Sequence, residues 1–207
     1  MNNYLDHTNR NRDYWELVWN KFREGDRRAF ETIYNEFSDG LYAYGSKITS
    51  DCELLKDCIQ DVFIDIYKYG SELRNPGSLE FYLFKTLKRN IIRKIKEQRG
   101  TEFTDIHSST FQLKFELEER NERDELLDEE LLQLQDQLKS LNPTQRELLF
   151  LKFNSGLSYV DIGKILELKP DTVKKQVYRL LDYLRNRMSN NPIELLFIYF
   201  KNKVRTK

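Results

Sequence analysis

Apolar residues recur three and four positions apart along most of the chain, and capping residues, glycines and prolines divide them into runs that each predict one helix. Asp13 offers an N-cap to a run of Trp15, Val18, Trp19 and Phe22 that stops at Gly25. Asp26 caps a second helix bearing Phe30, Ile33, Tyr34, Phe37, Leu41 and Tyr44. Asp51 opens a third, in which Leu55, Ile59, Val62, Phe63 and Ile66 recur until Gly70. Arg74-Asn75-Pro76-Gly77-Ser78 breaks the period, since proline cannot continue a helix, and a fourth helix runs from about Leu79 to Arg99. Residues 101–115 show no period and read as a linker. Leu126, Leu127, Leu131, Leu134 and Leu138 then lay a narrow apolar stripe through an acidic run and continue into a second domain as a helix. Beyond Asn142-Pro143, Leu148, Leu149, Leu151 and Phe153 are core candidates up to Gly156. Ser158 caps a short helix, Tyr159 to Glu167, with Val160, Ile162, Ile165 and Leu166, and Gly163 leaves room for another helix to cross closely. Pro170 begins the next helix, with Val173, Val177, Leu180, Leu181 and Leu184 inward. The pattern predicts an all-α chain of two small helical domains joined by an acidic linker.

Composition narrows the class. Eight Gly and four Pro in 207 residues are few, and 33% charged residues beside 13% aromatic suit amphipathic helices with anchored apolar faces. Cys52 and Cys58 with the distant His7 and His107 cannot assemble a structural zinc site and leave little for a disulfide framework, so a reducing compartment is expected. Asp6, Arg10, Arg12, Asp13, Glu16 and Lys21 interrupt the first thirty residues, which argues against a signal peptide. The run from Ile193 to Phe200 contains Glu194 and falls far short of the roughly 20 residues a bilayer span needs. A cytoplasmic protein, not an integral membrane protein, is expected.

A net charge of zero conceals an uneven distribution. Acids outnumber bases 15 to 10 over residues 1–84, bases outnumber acids 7 to 1 over 85–100, acids lead 12 to 4 over 101–140, and bases lead 9 to 5 over 141–188. Two basic stretches flanking an acidic connector imply two polyanion-facing surfaces, with nucleic acid the leading partner. In the fourth helix, Phe84, Leu87, Ile91 and Ile95 share one side while Lys85, Arg89, Arg93 and Lys96 gather nearly opposite. A merely solvated basic face would carry interspersed acids, which this one lacks. In the helix after Pro170, Lys174, Lys175, Tyr178 and Arg179 point outward, and with Lys169 they crowd its first turns, where a helix-turn-helix presents side chains to base edges and phosphates. An ordinary αα-hairpin explains the apolar spacing equally well but not that concentration of charge. Asp57, Asp61 and Asp65 form one acidic helix face suited to docking or to solvation; stacked along a single helix they converge poorly on a metal. No glycine-rich phosphate loop and no nucleophile beside a base is found, so catalysis, metal and cofactor are not expected.

Two blocks of these residues resemble the extracytoplasmic-function sigma factors, small bacterial initiation subunits of RNA polymerase. Glu24-Gly25-Asp26, Ala29-Phe30 and Asp57-Cys58-Ile59-Gln60-Asp61-Val62-Phe63, followed by residues 79–99 with Arg89-Asn90, resemble the family's region 2. Leu141-Asn142-Pro143-Thr144-Gln145-Arg146-Glu147, Gly156-Leu157-Ser158-Tyr159, Ile162-Gly163-Lys164-Ile165-Leu166 and Thr172-Val173-Lys174-Lys175 resemble its region 4. Departures stand at Lys94, where Asp is frequent, at Glu167, a turn position where Gly is common, and at Gln176, where Arg is common.

The resemblance implies region 2 over 13–100 and region 4 over 138–188, while the residues themselves read as a flexible arm over 1–12, an acidic linker over 101–137 and an apolar and basic tail over 189–207. It implies core RNA polymerase (clamp and flap), promoter DNA and an anti-sigma factor as partners. By it, Asp57, Gln60, Asp61, Phe63 and Ile64 meet the polymerase clamp. Asn75, Phe81, Tyr82, Lys85, Lys88, Arg89, Asn90, Arg93 and Lys96 would meet the minus-ten element, with Phe81 and Tyr82 either trapping a flipped base or filling core. Lys169, Asp171, Thr172, Lys174, Lys175, Tyr178 and Arg179 would meet the minus-thirty-five element. The alternative is a helix-turn-helix regulator that binds duplex DNA without being a polymerase subunit. The tail, outside the resemblance, is too apolar to stay free in water; it should dock on its own second domain or on a regulator, with membrane adsorption as the competing reading.

Overall fold

The computed structural model describes residues 14–70, 79–99, 111–113 and 125–201. The predicted Asp13 cap, the arm over 1–12, Asn75 and its loop, and the basic end of the tail lie outside these residues. Among the described residues the secondary structure is helical: α1 (14–23), α2 (Arg27–Gly45), α3 (Cys52–Tyr69), α4 (Leu79–Arg99), α5 (Glu125–Ser140), α6 (Pro143–Phe153), α7 (Tyr159–Leu166), α8 (Pro170–Arg185) and α9 (Pro192–Lys201). The chain divides into two compact units, one of Met1–Ser46 with Asp51–Lys94 and one of Lys47–Ser50 with Ile95–Lys207.

The caps read from the sequence at Asp26 and Asp51 hold their helix starts. Asp26 accepts a hydrogen bond from the Arg28 N–H at 2.8 Å, and Asp51 accepts from Glu53 and Leu54 at 3.1 and 3.0 Å. Asn142 and Gln145 form a reciprocal capping box before α6, each side chain accepting from the other's backbone N–H at 2.9 and 3.0 Å.

In the first unit, α2, α3 and α4 meet at Gly45, where a Cβ would collide with Leu55 and press on Ile91. Ile33, Leu41, Tyr44, Leu55, Cys58, Val62, Ile66, Leu83, Leu87 and Ile91 are buried around this point. Tyr44 packs on Phe84, and α1 joins through Trp15 on Phe37 and Phe22 on Phe30.

In the second unit, α7 packs on α6 and α8, and α9 lies against α5, α6 and α8. α5 begins at Glu125, inside the stretch expected to be linker, because Leu131, Leu134 and Leu138 are buried and the Tyr183 hydroxyl donates to Gln137 while lying 2.9 Å from the Ser140 hydroxyl. Residues 111–113 are non-helical as expected, yet Phe111 and Leu113 are buried, with Phe111 edge-on to Phe150 at 5.7 Å. The tail forms α9 and buries Leu195, Leu196, Tyr199 and Phe200, with Phe197 against Phe153 and Phe200 against Phe150. Of the two places expected for the tail, the structure gives the chain's own second domain.

Candidate nucleic-acid interface

On α4, the apolar half is consumed by the core and one narrow stripe is left. Lys85, Arg89 and Arg93 are exposed along it, with Lys96 half-buried. At its N-terminal end Phe81 and Tyr82 are half-buried, and Lys85 Nζ sits 5.4 Å from the Phe81 ring centroid. Cations beside partly open rings make a surface on which an unpaired base can stack while its phosphate is neutralised.

Two minus-ten residues do not reach this stripe. Asn90 is 3% exposed and Lys88 is 9% exposed. Asn90 lies one turn beyond the buried Thr86, and Lys88 lies one turn before the buried Ile92. At about 100° per residue they flank the stripe on either side, and α4 is covered over both flanks. The resemblance set both with the stripe against one DNA element; the helix places them on its flanks.

Of the residues expected to meet the polymerase, Gln60, Phe63 and Ile64 converge on an open groove of about 860 Å³ between α2 and α3. Phe63 forms its floor at 4% exposure, while Ile64, Tyr34, Tyr42 and Tyr67 stand open around it. The rings interlock, Tyr34 on Phe63 at 4.7 Å and Tyr67 on Phe30 at 5.3 Å, and Lys56 and Lys68 also line the groove. An apolar, aromatic-walled groove of this kind fits a partner's helix. Tyr42 and Tyr67 were absent from the sequence reading, Tyr34 figured only as a helix-packing position, and Ile59 figured as a packing position and within the region 2 block but not as a contact. The available signal was the presence of apolar positions on both flanks of α3, wider than one core face requires.

Asp57 and Asp61 do not line the groove. Asp57 is exposed, and Asp61 is engaged by Lys94 of α4, Nζ to Oδ2 2.8 Å. The hydrogen bond that Lys94 donates to Asp61 holds its ammonium above the usual lysine range, against a smaller opposing effect of burial. Behind the pair, burial pushes the Cys58 thiol up to about 11, so it stays protonated. The supposed acidic docking face is therefore partly an internal tie between helices.

In the second unit, Ser158 caps α7 by accepting from the Asp161 N–H at 3.1 Å. The turn into α8 passes through Glu167 at φ 58°, ψ 38°, and returns so closely that a Cβ on Gly163 would lie 2.6 Å from the Leu168 carbonyl oxygen. Gly163 makes room for the turn itself rather than for a crossing helix, and its own carbonyl accepts from Leu168 N–H at 2.8 Å. On α8, Asp171, Lys174, Lys175, Tyr178 and Arg179 are exposed along one side, opposite the buried Val173, Val177, Leu180, Leu181 and Leu184. Lys169 is the exposed N-cap residue, and Thr172 is half-buried at the edge of the side chains that could touch DNA.

The comparisons bear on both units. The family model "Sigma-70 region 2" matches residues 33–101, and "Sigma-70, region 4" matches residues 131–184. The ECF RNA polymerase sigma-E factor of Escherichia coli (strain K12) is 21% identical over 179 residues, covering 84% of this chain and 93% of that protein. The ECF RNA polymerase sigma factor SigK of Mycobacterium bovis (strain BCG / Pasteur 1173P2) is 21% identical over 167 residues, 78% of this chain and 86% of its own length. Among solved structures, the sigma factor RpoE in complex with the anti-sigma factor NepR from Bartonella quintana shares the fold, with TM-score 0.52 and 21% identity over 81% of this chain and 96% of that one.

Proposed function

The chain belongs to the extracytoplasmic-function sigma factors of the sigma-70 family, and from that membership we infer that it binds core RNA polymerase, directs it to specific promoters and helps open the DNA. The observation that carries this reading is the pairing on one chain, in order, of a region 2 match over the basic α4 and a region 4 match over the helix-turn-helix. The alternative regulator needs an effector domain in place of region 2 and is not favoured.

We assign α4's exposed stripe, Lys85, Arg89, Arg93 and Lys96 with Phe81 and Tyr82, to the minus-ten element. Lys169, Asp171, Thr172, Lys174, Lys175, Tyr178 and Arg179 are assigned to the minus-thirty-five element. Gln60, Phe63 and Ile64, with Tyr34 and Tyr67, are assigned to polymerase docking. Strand opening draws on binding energy, and the polymerase supplies the chemistry, so the chain acts as a regulatory factor and not as an enzyme. Its place is the cytoplasm, where polymerase and promoter are; among the described residues no helix is long and apolar enough to cross a membrane. The anti-sigma factor bound to the Bartonella relative supports a similar regulator here.

The test is initiation by purified chain with core polymerase at a promoter that neither uses alone. Ile64→Glu, which puts a charge at the mouth of the groove, should reduce core affinity at least about tenfold with helicity intact, since burying an unpaired charge costs several kcal/mol. Tight duplex binding by the chain alone with no effect on the polymerase would instead support the regulator.

A further inference from the structure

We propose that Lys94 is a positioning residue for promoter opening: its ion pair with Asp61 sets α4 against α3, and so aims the basic stripe of α4 when α3 is seated on the polymerase. The inference rests on the docking and opening roles given above and adds a coupling between them.

The geometry distinguishes this pair from the chain's simpler ones. Glu53–Lys56 and Asp182–Arg185 link residues three apart on one exposed helix surface, where pairing adds little. Asp61–Lys94 joins two helices at 2.8 Å, with side-chain exposures of 42% and 26%. Partial shielding strengthens the attraction and leaves water a poorer substitute for either partner. Around it, Leu55 of α3 and Ile91 of α4 both crowd Gly45 and Cys58 is buried, and apolar packing of this kind is non-directional, so it resists separation more than rotation. A directional contact at the edge of such a face fixes the rotation. Lys94 directly follows Arg93 of the basic stripe, so a turn of α4 that breaks the pair also swings Arg93 and Arg89.

It follows that Asp61 serves α4 rather than the polymerase, and a charge swap separates the two roles. Asp61→Lys and Lys94→Asp should each lower the rate of open-complex formation at saturating polymerase about tenfold, within the range of mutations that disturb coupling between sites. Core affinity should change less than about threefold, and the Asp61→Lys/Lys94→Asp double variant should return to within about twofold of the parent. A swap as defective as Asp61→Lys alone would mean that Asp61 meets the polymerase or DNA directly, and the proposal falls. Full activity of both single variants overturns it equally. Should either reversal fail to fold, Asp61→Asn, Lys94→Met and their combination serve: the combined loss should be no greater than either single loss, and additive losses reject the pair. Ile64→Glu keeps the two levels apart, because normal core affinity in that variant refutes the docking role, whereas a failed swap beside a defective Ile64→Glu refutes only the coupling.

Discussion

Glu167 occupies the left-handed region at φ 58°, which a side chain bearing a Cβ enters only at a cost, and it is exposed, so no packing offsets that cost. Glu167→Gly should raise stability by about 0.5–1 kcal/mol, the strain removed exceeding the extra entropy glycine brings to the unfolded chain. The urea midpoint of the second unit measures it; a lower midpoint would mean that the carboxylate makes a compensating interaction. The same turn forbids any side chain at Gly163, so two positions four apart carry opposite demands. Sequence reasoning saw that Gly163 must be small and that Glu167 stood in a turn, because glycine and turn chemistry are local. It could not see that Lys88 and Asn90 are buried, since charge counted along a line says nothing of how much of a helix its neighbours cover. Tyr34 and Ile59 misled in the other direction: their spacing is that of core residues, yet both line the open groove between α2 and α3.

Helices were legible wherever a cap and a period agreed, as at Asp26, Asp51 and Ser158, each of which accepts a backbone N–H in the structure, whereas the cap at Asn142 was hidden behind the early Pro143. The start of α5 was less so, because an acidic composition argues for a solvated connector while the leucine stripe argues for a docked helix, and the stripe prevails from Glu125 onward. α9 was legible as a helix that must be covered, and its cover is α5, α6 and α8. Removing it by truncation after Met188 takes away Leu195, Leu196, Tyr199 and Phe200 and bares Phe150 and Phe153. Burial of a large apolar side chain stabilises by about 1.5–3 kcal/mol, offset by about 1–2 kcal/mol for each residue the helix orders. A net loss of only 2 kcal/mol would lower the melting temperature of a unit this size by roughly 10 °C. That fall is the expected result by calorimetry. An unchanged melting temperature, with lost binding to anionic vesicles, would favour membrane adsorption instead.

For the whole molecule, equal numbers of acids and bases remove any general attraction to DNA, and what remains is arranged: a basic stripe on α4, a basic side on α8, and an excess of 12 acids over 4 bases across residues 101–140 between them. A chain so arranged should bind DNA through two separate sets of phosphates rather than one continuous patch. Each phosphate contact releases counterions and adds about 0.7 to 0.9 to the salt slope of binding, the lower figure for single strands. Arg89, on the α4 stripe, and Arg179, on α8, are both exposed and belong to different units. If each meets a phosphate, Arg89→Ala and Arg179→Ala should each flatten the salt slope of promoter binding by the polymerase holoenzyme by a little under one, and the double variant by a little under two, since distant sites add. A base contact would behave differently, costing about 1–3 kcal/mol on the preferred promoter with little change on a scrambled one. The slopes are read from binding titrations between 50 and 200 mM salt, roughly the range over which phosphate contacts dominate the change in affinity. A double variant no flatter than either single would mean that only one of the two surfaces faces DNA, and the charge pattern of the other would then be left to solubility.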